Sequence, residues 1–166
     1  MATTTQQYPL EKSKVAKRFL NSIKAWLILD ILAAAGAVFL LNASIAAAFA
    51  IFAGFLVPVS IWQWVYESKY FEAYYYDVGN DFLTIKKGWI TPREAVMPYE
   101  KLQDVYVDQD LLDRMFGLWD VHVSTATVMS GIEAHIDGVS SQNANALREL
   151  ILNKIRSKRS KVTGYD

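Results

Sequence analysis

The chain has 166 residues, 52% of them hydrophobic, and its basic and acidic side chains balance to a formal net charge of zero. That length allows one ordinary domain with an appendage, and the hydrophobic share is high for a soluble domain. Because the chain has no cysteine, disulfides and thiolate chemistry are excluded.

Residues 1–24 form a polar, basic segment ahead of the hydrophobic part of the chain. Its charged side chains are Lys12, Lys14, Lys17, Arg18 and Lys24 against Glu11. Apolar residues recur every three or four positions from Val15 to Trp26, which predicts a helix lying along the membrane interface.

Residues 25–66 contain two apolar blocks, Ala25–Leu41 and Ala43–Tyr66, and Asp30 is their only charged residue. At about 1.5 Å per residue, each block approaches or exceeds the roughly 30 Å hydrocarbon core of a bilayer. Two apolar blocks this long would not fit inside the core of so small a domain, and the apolar region of a signal peptide would not follow a largely polar stretch of 24 residues. We therefore predict a two-helix transmembrane hairpin.

The flanking charges predict its orientation. The first block follows a basic segment, the tip between the blocks carries no charge, and Lys69 follows the second block. The positive-inside rule then places both termini in the cytoplasm of a multi-pass protein of the inner (plasma) membrane. Asp30 is an ionisable residue within a predicted span, which makes it a candidate functional residue. It lies about one and a half helical turns past Lys24, so it is also close enough to reach the membrane interface.

From residue 67 to 156 the pattern predicts a β-rich domain that ends in a helix. Six short runs alternate with a period of two, and they are separated by turn residues: 73–78, 82–87, 93–98, 102–109, 119–125 and 131–137. A helix capped by Ser140 or Ser141 follows, with an apolar stripe of Ala144, Leu147, Ile151 and Ile155. Residues 157–166 are predicted to be a basic, flexible tail.

Three stretches carry a family resemblance: "MPYEKLQDVYV", "LLDRMFGLWDVHV" and "EAHIDGVSSQNANALRELIL". They resemble the bacterial pleckstrin-homology-like (PH-like) family of small membrane proteins. The resemblance implies an α+β fold in which a transmembrane helix hairpin precedes an antiparallel β-barrel or sandwich capped by a C-terminal helix.

The segment from Met97 to Val121 is interpreted mainly as scaffold. Leu102 does not alternate in phase with Val105, so we expect a bulge at Gln103–Asp104. Leu111 is expected to face inward with Val105 and Val107. The apolar residues expected to close one end of the barrel are Leu112, Met115 and Phe116, with Gly117 permitting the exit turn.

Two polar strand faces are the best candidates for acid–base or metal chemistry. They carry Asp120, His122 and Ser124 on one strand and Glu133, His135 and Asp137 on the next. Because the alternate positions are apolar, we expect both polar faces to lie in solvent. The register that pairs Asp120 with His135 and His122 with Glu133 avoids facing like charges. We therefore predict ion pairs, with no metal, no cofactor and no enzymatic activity.

Lys86, Lys87 and Arg93 beside a turn form a weak candidate contact for lipid headgroups, although lysines there also protect a sheet edge. Between Glu67 and Ser140, 13 acidic residues outnumber 6 basic ones, which disfavours nucleic acid as a partner. We expect a non-enzymatic membrane protein whose cytoplasmic PH-like domain binds itself or a related PH-like membrane protein, with no small-molecule substrate. The alternatives are a lipid-headgroup module and an accessory subunit of a transporter or envelope-stress system.

Overall fold

The computed structural model describes residues 3–125 and 134–163. In chain order the elements are α1 Thr4–Gln7, α2 Ser13–Leu41, α3 Ile45–Ala73, β1 Tyr75–Val78, β2 Phe82–Lys87, β3 Arg93–Pro98, a 3-10 turn Tyr99–Lys101, β4 Leu102–Asp108, α4 Leu111–Phe116, β5 Trp119–Thr125, β6 Ala134–Val139 and α5 Ser141–Thr163. They divide into two compact units, one of Met1–Lys14 with Glu72–Asp166 and one of Val15–Phe71.

The second unit is the helix pair formed by α2 and α3. Each helix is long and apolar enough to cross a membrane, with stretches of mean hydropathy 2.0 and 2.2. Few residues of these stretches are buried, and large side chains such as Leu32 and Phe39 are exposed. Exposed apolar helix faces of this kind are suited to lipid.

The first unit contains two antiparallel three-stranded sheets, with orders β1-β2-β3 and β4-β5-β6. Strands β2, β3 and β5 have the predicted bounds, and the register shift between Leu102 and Val105 confirms the predicted bulge. The α+β class is confirmed. Within the described residues the strands form no closed barrel, because β3 and β4 are joined by the 3-10 turn and belong to different sheets.

Helix α5 provides one wall of the core of this unit. It packs against β4, β5 and the 3-10 turn. The predicted stripe is confirmed, since Ala144, Leu147, Ile151 and Ile155 are all buried. The hydroxyl of Ser140 accepts a hydrogen bond from the Asn143 amide and so caps the helix. The helix continues to Thr163, beyond residue 156, where a flexible tail was predicted.

Helix α4 does not close a barrel end as expected. Leu111 and Met115 are 76% and 69% exposed, whereas Asp113 is buried. Asp110 accepts a hydrogen bond from the Asp113 amide at 2.6 Å in a capping box. This polar cap fixes the direction of a helix of only 6 residues, and Leu118, one residue after the left-handed Gly117, enters the core instead.

Residues 3–14 pack against the sheets of the first unit. Thr4 and Thr5 hydrogen-bond to β1, and Leu10 forms a β-bridge with Val139 of β6. The Tyr76 hydroxyl donates to the Tyr8 carbonyl. The sequence-based division placed this segment apart from the β-rich body, whereas in the structure it covers edges of both sheets.

Candidate functional site

A buried ion cluster lies where the N-terminal segment meets β6, and it comprises Lys14, Tyr74, Lys87, His135 and Asp137. The Lys14 ammonium is 3.0 Å from the Asp137 carboxylate and 2.8 Å from the Asp137 carbonyl. It also lies 3.6 Å from the centre of the Tyr74 ring. Lys87 reaches the same carboxylate at 3.3 Å, and the Tyr74 hydroxyl donates to it at 2.8 Å.

Charge and backbone geometry both favour this arrangement. Burial by itself would raise the pKa of Asp137, but the nearby charges of Lys14, Lys87 and His135 outweigh it and hold this pKa well below its usual range. Gly138 has a positive φ of 81°, and a Cβ there would lie 2.6 Å from the Lys14 side chain. A glycine at this position therefore lets the lysine stem cross β6.

The ion cluster corrects two expectations from the sequence. Asp137 was expected in solvent, yet its side chain is only 16% exposed. Lys14 was expected beside a membrane interface, yet it is 1% exposed. The two residues are 123 positions apart, and no local pattern in the sequence indicates that they meet.

The predicted register between β5 and β6 is wrong. His122 stands opposite His135, and Val121 stands opposite Ile136. The repulsion that argued against this register is absent, because Asp137 is neutralised in the ion cluster and Asp120 accepts a hydrogen bond from the Gly138 amide at 2.7 Å. Glu133, the other predicted partner, lies outside the described residues.

The two histidines form part of a stack of rings across the second sheet. The rings of Tyr106 and His122 are 4.9 Å apart, and those of His122 and His135 are 5.3 Å apart. His122 Nε2 is 3.0 Å from a carboxylate oxygen of Asp108, whose side chain is 56% exposed. Asp108, Asp120 and His122 each place one potential metal-ligand atom within 4.8 Å of the others. This spacing suits ion pairing and is also short enough for the three atoms to bind one cation.

The structure separates the three candidate headgroup residues. Lys86 is exposed on the outer face of the first sheet, opposite Glu94. Lys87 points the other way, into the ion cluster, and is 15% exposed. Arg93, which pairs with Lys87 in the register, is exposed. Lys86 and Arg93 are therefore exposed, whereas Lys87 is paired with Asp137.

The outer face of the first sheet carries an exposed apolar patch. Phe82 stands opposite Pro98, and Val96 stands opposite Thr84. Phe82 and Val96 are 49% and 54% exposed. Strand β3 is an edge of its sheet and contains no buried residue. The patch therefore ends at a sheet edge that a further strand could join.

The helix pair contains two buried carboxylates with different surroundings. Glu67 accepts hydrogen bonds from Arg18 at 2.5 Å, Ser22 at 3.0 Å and Gln63 at 2.9 Å. Asp30, also 1% exposed, has no hydrogen-bond partner for either oxygen among the residues that the structure describes. The sequence drew attention to Asp30 but not to Glu67, because only Asp30 interrupts an apolar block.

Comparison with protein families gives a match over residues 27–155 to the family described as Bacterial PH domain. The chain belongs to this bacterial PH domain family. The match begins inside α2 and ends inside α5, so it includes the helix pair. No curated protein and no solved structure matches the chain.

Membership of the bacterial PH domain family confirms the resemblance seen in the sequence. Together with two helices long and apolar enough to cross a membrane, it indicates a membrane-associated or interaction module. Among the described residues of this PH domain, the exposed apolar side chains include Phe82 and Val96 of the first sheet, Trp89 and Ile90 between β2 and β3, and Leu111 and Met115 of α4, whereas the ion cluster is internal.

Proposed function

We propose that this chain is a non-enzymatic protein of the inner membrane whose PH domain binds a second copy of the chain. Helices α2 and α3 span the bilayer, and both ends of the chain lie in the cytoplasm. The length and hydropathy of the two helices support the spans. The basic residues before α2 and the uncharged connection between the helices support the orientation.

The observation that carries the interaction is the exposed patch of Phe82 and Val96 beside the open edge of β3. Exposed β-branched and aromatic residues on a sheet gain free energy when a partner covers them, at about 25 cal/mol per Å² of apolar area. The backbone groups along an edge strand provide the hydrogen bonds that align such a partner.

A second copy is the partner that this geometry favours. Two chains anchored in one bilayer present the same patch, so a two-fold contact can use one surface twice. Confinement to a membrane also raises the effective concentration of one copy around another.

The absence of catalysis is part of the proposal. The imidazoles of His122 and His135 stack on each other, and each lies within 4 Å of a carboxylate oxygen. Residues engaged in this way serve the sheet as cross-strand pairs.

Native mass spectrometry of the full chain in detergent tests the proposal. We expect a dimer for the wild type and a shift to monomer for Val96→Glu, because the charge would be buried at the contact. Gln142→Glu, at an exposed position on α5, is the matched control and should remain dimeric. A monomeric wild type would overturn self-association, and a co-purifying membrane protein lost only in Val96→Glu would assign the patch to a companion.

A further inference from the structure

The turn between β2 and β3, residues 88–92, places two large apolar side chains in solvent. Trp89 is 38% exposed and Ile90 is 57% exposed. Gly88 has a φ of 90°, and a Cβ there would lie 2.6 Å from the Thr91 carbonyl oxygen. The turn is therefore tight, and glycine is required to form it. We call residues 88–92 the β2–β3 tip.

Two exposed cations flank the β2–β3 tip, since Lys86 lies in the last part of β2 and Arg93 begins β3. Glu94, which stands opposite Lys86 in the register, is also exposed, and the opposite end of the same strands carries acidic residues too. There the β1–β2 turn contains Asp81, which pairs with Lys158, and the 3-10 turn contains the exposed Glu100. An aromatic and an aliphatic residue between cations match the chemistry of an anionic bilayer surface.

The register of the first sheet places the β2–β3 tip at the end where the chain leaves α3. Strand β1 starts two residues after Ala73, the last residue of α3, and Tyr75 pairs with Lys86. Ala73 and Tyr75 line an open hollow together with Trp89 and Pro92. Helix α3 continues past Tyr66 to Ala73, about 10 Å at 1.5 Å per residue, so only a short helical stretch separates the predicted span from β1.

We infer that the β2–β3 tip inserts Trp89 and Ile90 into the interface of the bilayer that holds α2 and α3, with Lys86 and Arg93 at anionic headgroups. The occupant of this surface is a lipid bilayer with anionic headgroups. The inference rests on the membrane anchoring proposed above but not on self-association. It gives the PH domain a second attachment to the membrane besides its covalent link to α3.

Because the chain has no cysteine, single spin labels can be placed without background. The full chain is reconstituted in vesicles of phosphatidylcholine with phosphatidylglycerol. Labels are placed at Ile90→Cys in the tip, Val57→Cys within α3 and Glu100→Cys at the far end of the sheet. All three positions are exposed in the structure, so the labels do not disturb the core. Accessibility to oxygen and to a water-soluble nickel chelate is then measured by electron paramagnetic resonance.

We expect the label at 90 to lose access to the nickel chelate and to gain access to oxygen relative to position 100. Pure phosphatidylcholine, or Lys86→Gln with Arg93→Gln, should shift position 90 towards the value at position 100. A label at 57 that lies in water would overturn the membrane anchoring itself. If 57 lies in lipid and 90 matches 100, the anchoring stands and the inference is wrong. Protection at 90 without a gain in oxygen access would indicate a protein contact and would also overturn it.

Discussion

The PH domain and the helix pair both bury a carboxylate that has partners, and the helix pair also buries one that has none among the described residues. In the PH domain, Asp137 lies between the ammonium groups of Lys14 and Lys87 at 3.0 and 3.3 Å. In the helix pair, Glu67 has three hydrogen-bond partners, whereas neither oxygen of Asp30 has one among the described residues.

This contrast shows that the energetic role of a buried carboxylate is set by the groups that tertiary structure brings to it. Removing a partnered carboxylate destabilises the fold because its cation is left buried without compensation. An unpartnered carboxylate costs free energy, and its removal relieves that cost. The predictions below place carboxylates in new surroundings or remove them from existing ones.

Introducing an unpartnered carboxylate into the PH domain core should have the largest effect. Leu147 is fully buried on α5, so Leu147→Asp loses apolar contact and buries a charge, and we expect a loss of about 4 kcal/mol or more. The melting midpoint of the full chain, followed by circular dichroism, measures it. Asn145→Asp on the exposed side of α5 is the control and should melt within a few degrees of wild type. An unchanged midpoint for Leu147→Asp would remove α5 from the core.

Removing the partnered carboxylate should have a slightly smaller effect. Asp137→Ala leaves Lys14, which is 1% exposed, without its main counter-charge, and we expect a loss of about 3–5 kcal/mol in the free energy of unfolding. Asp104→Ala, at an exposed position on β4, is the control. The double variant Lys14→Met with Asp137→Leu should recover much of the loss, because it leaves neither charge buried. Additive losses in the double variant would contradict the pairing.

Lowering the pH should remove part of the same stabilisation. The pKa of Asp137 is held below its usual range in the folded protein, whereas an unfolded aspartate has a pKa of about 3.9. Its contribution is therefore complete above about pH 5 and is lost as pH falls below 4, by about 1.4 kcal/mol per pH unit. The melting midpoint of the wild type should be higher than that of Asp137→Asn at pH 5, and this difference should shrink as the pH is lowered to 2.5. Parallel curves for the two proteins would contradict the ion cluster.

The sequence predicted the features that depend on local periodicity. The alternation from Phe82 to Lys87 and from Trp119 to Thr125 has the period of a strand, and the spacing of Leu147, Ile151 and Ile155 has the period of a helix. Apolar length alone predicted two long helices. The bulge after Leu102 followed from a break in alternation.

The predictions that were wrong concern features that depend on contacts between residues far apart in the sequence. No local pattern in the sequence indicates that Lys14 neutralises Asp137, so the repulsion expected between Asp120 and Asp137 in the observed β5–β6 register was overestimated. Helix α4 is too short for its apolar spacing to define a buried face, and the cap at Asp110 directs it instead. For the candidate site, the sequence suggested Lys86, Lys87 and Arg93 as one group, and the pairing of Lys87 with Asp137 removes Lys87 from it.

Weakening the partnered carboxylate of the helix pair should have a moderate effect. Glu67→Gln loses the ion pair with Arg18 but keeps hydrogen-bonding atoms for Ser22 and Gln63. Since the Arg18 side chain is 30% exposed, we expect a loss of only about 1–2 kcal/mol. Faster hydrogen exchange in peptides from the last turns of α3 would report it. Glu72→Gln makes the same chemical change at an exposed position and should leave exchange around Glu67 unaltered.

Removing the unpartnered carboxylate should have the smallest effect and the opposite sign. Asp30→Leu replaces a buried acid that has no hydrogen-bond partner among the described residues with an apolar side chain of similar size. We expect the free energy of unfolding to stay the same or to increase by up to about 1 kcal/mol. The melting midpoint of the full chain in detergent should then stay the same or rise. Asp137→Leu is the matched comparison, because it makes the same change to a partnered carboxylate and should lower the midpoint. If Asp30→Leu lowers it as well, Asp30 has a partner in the assembled protein, and that partner would make it a functional residue of the membrane segment.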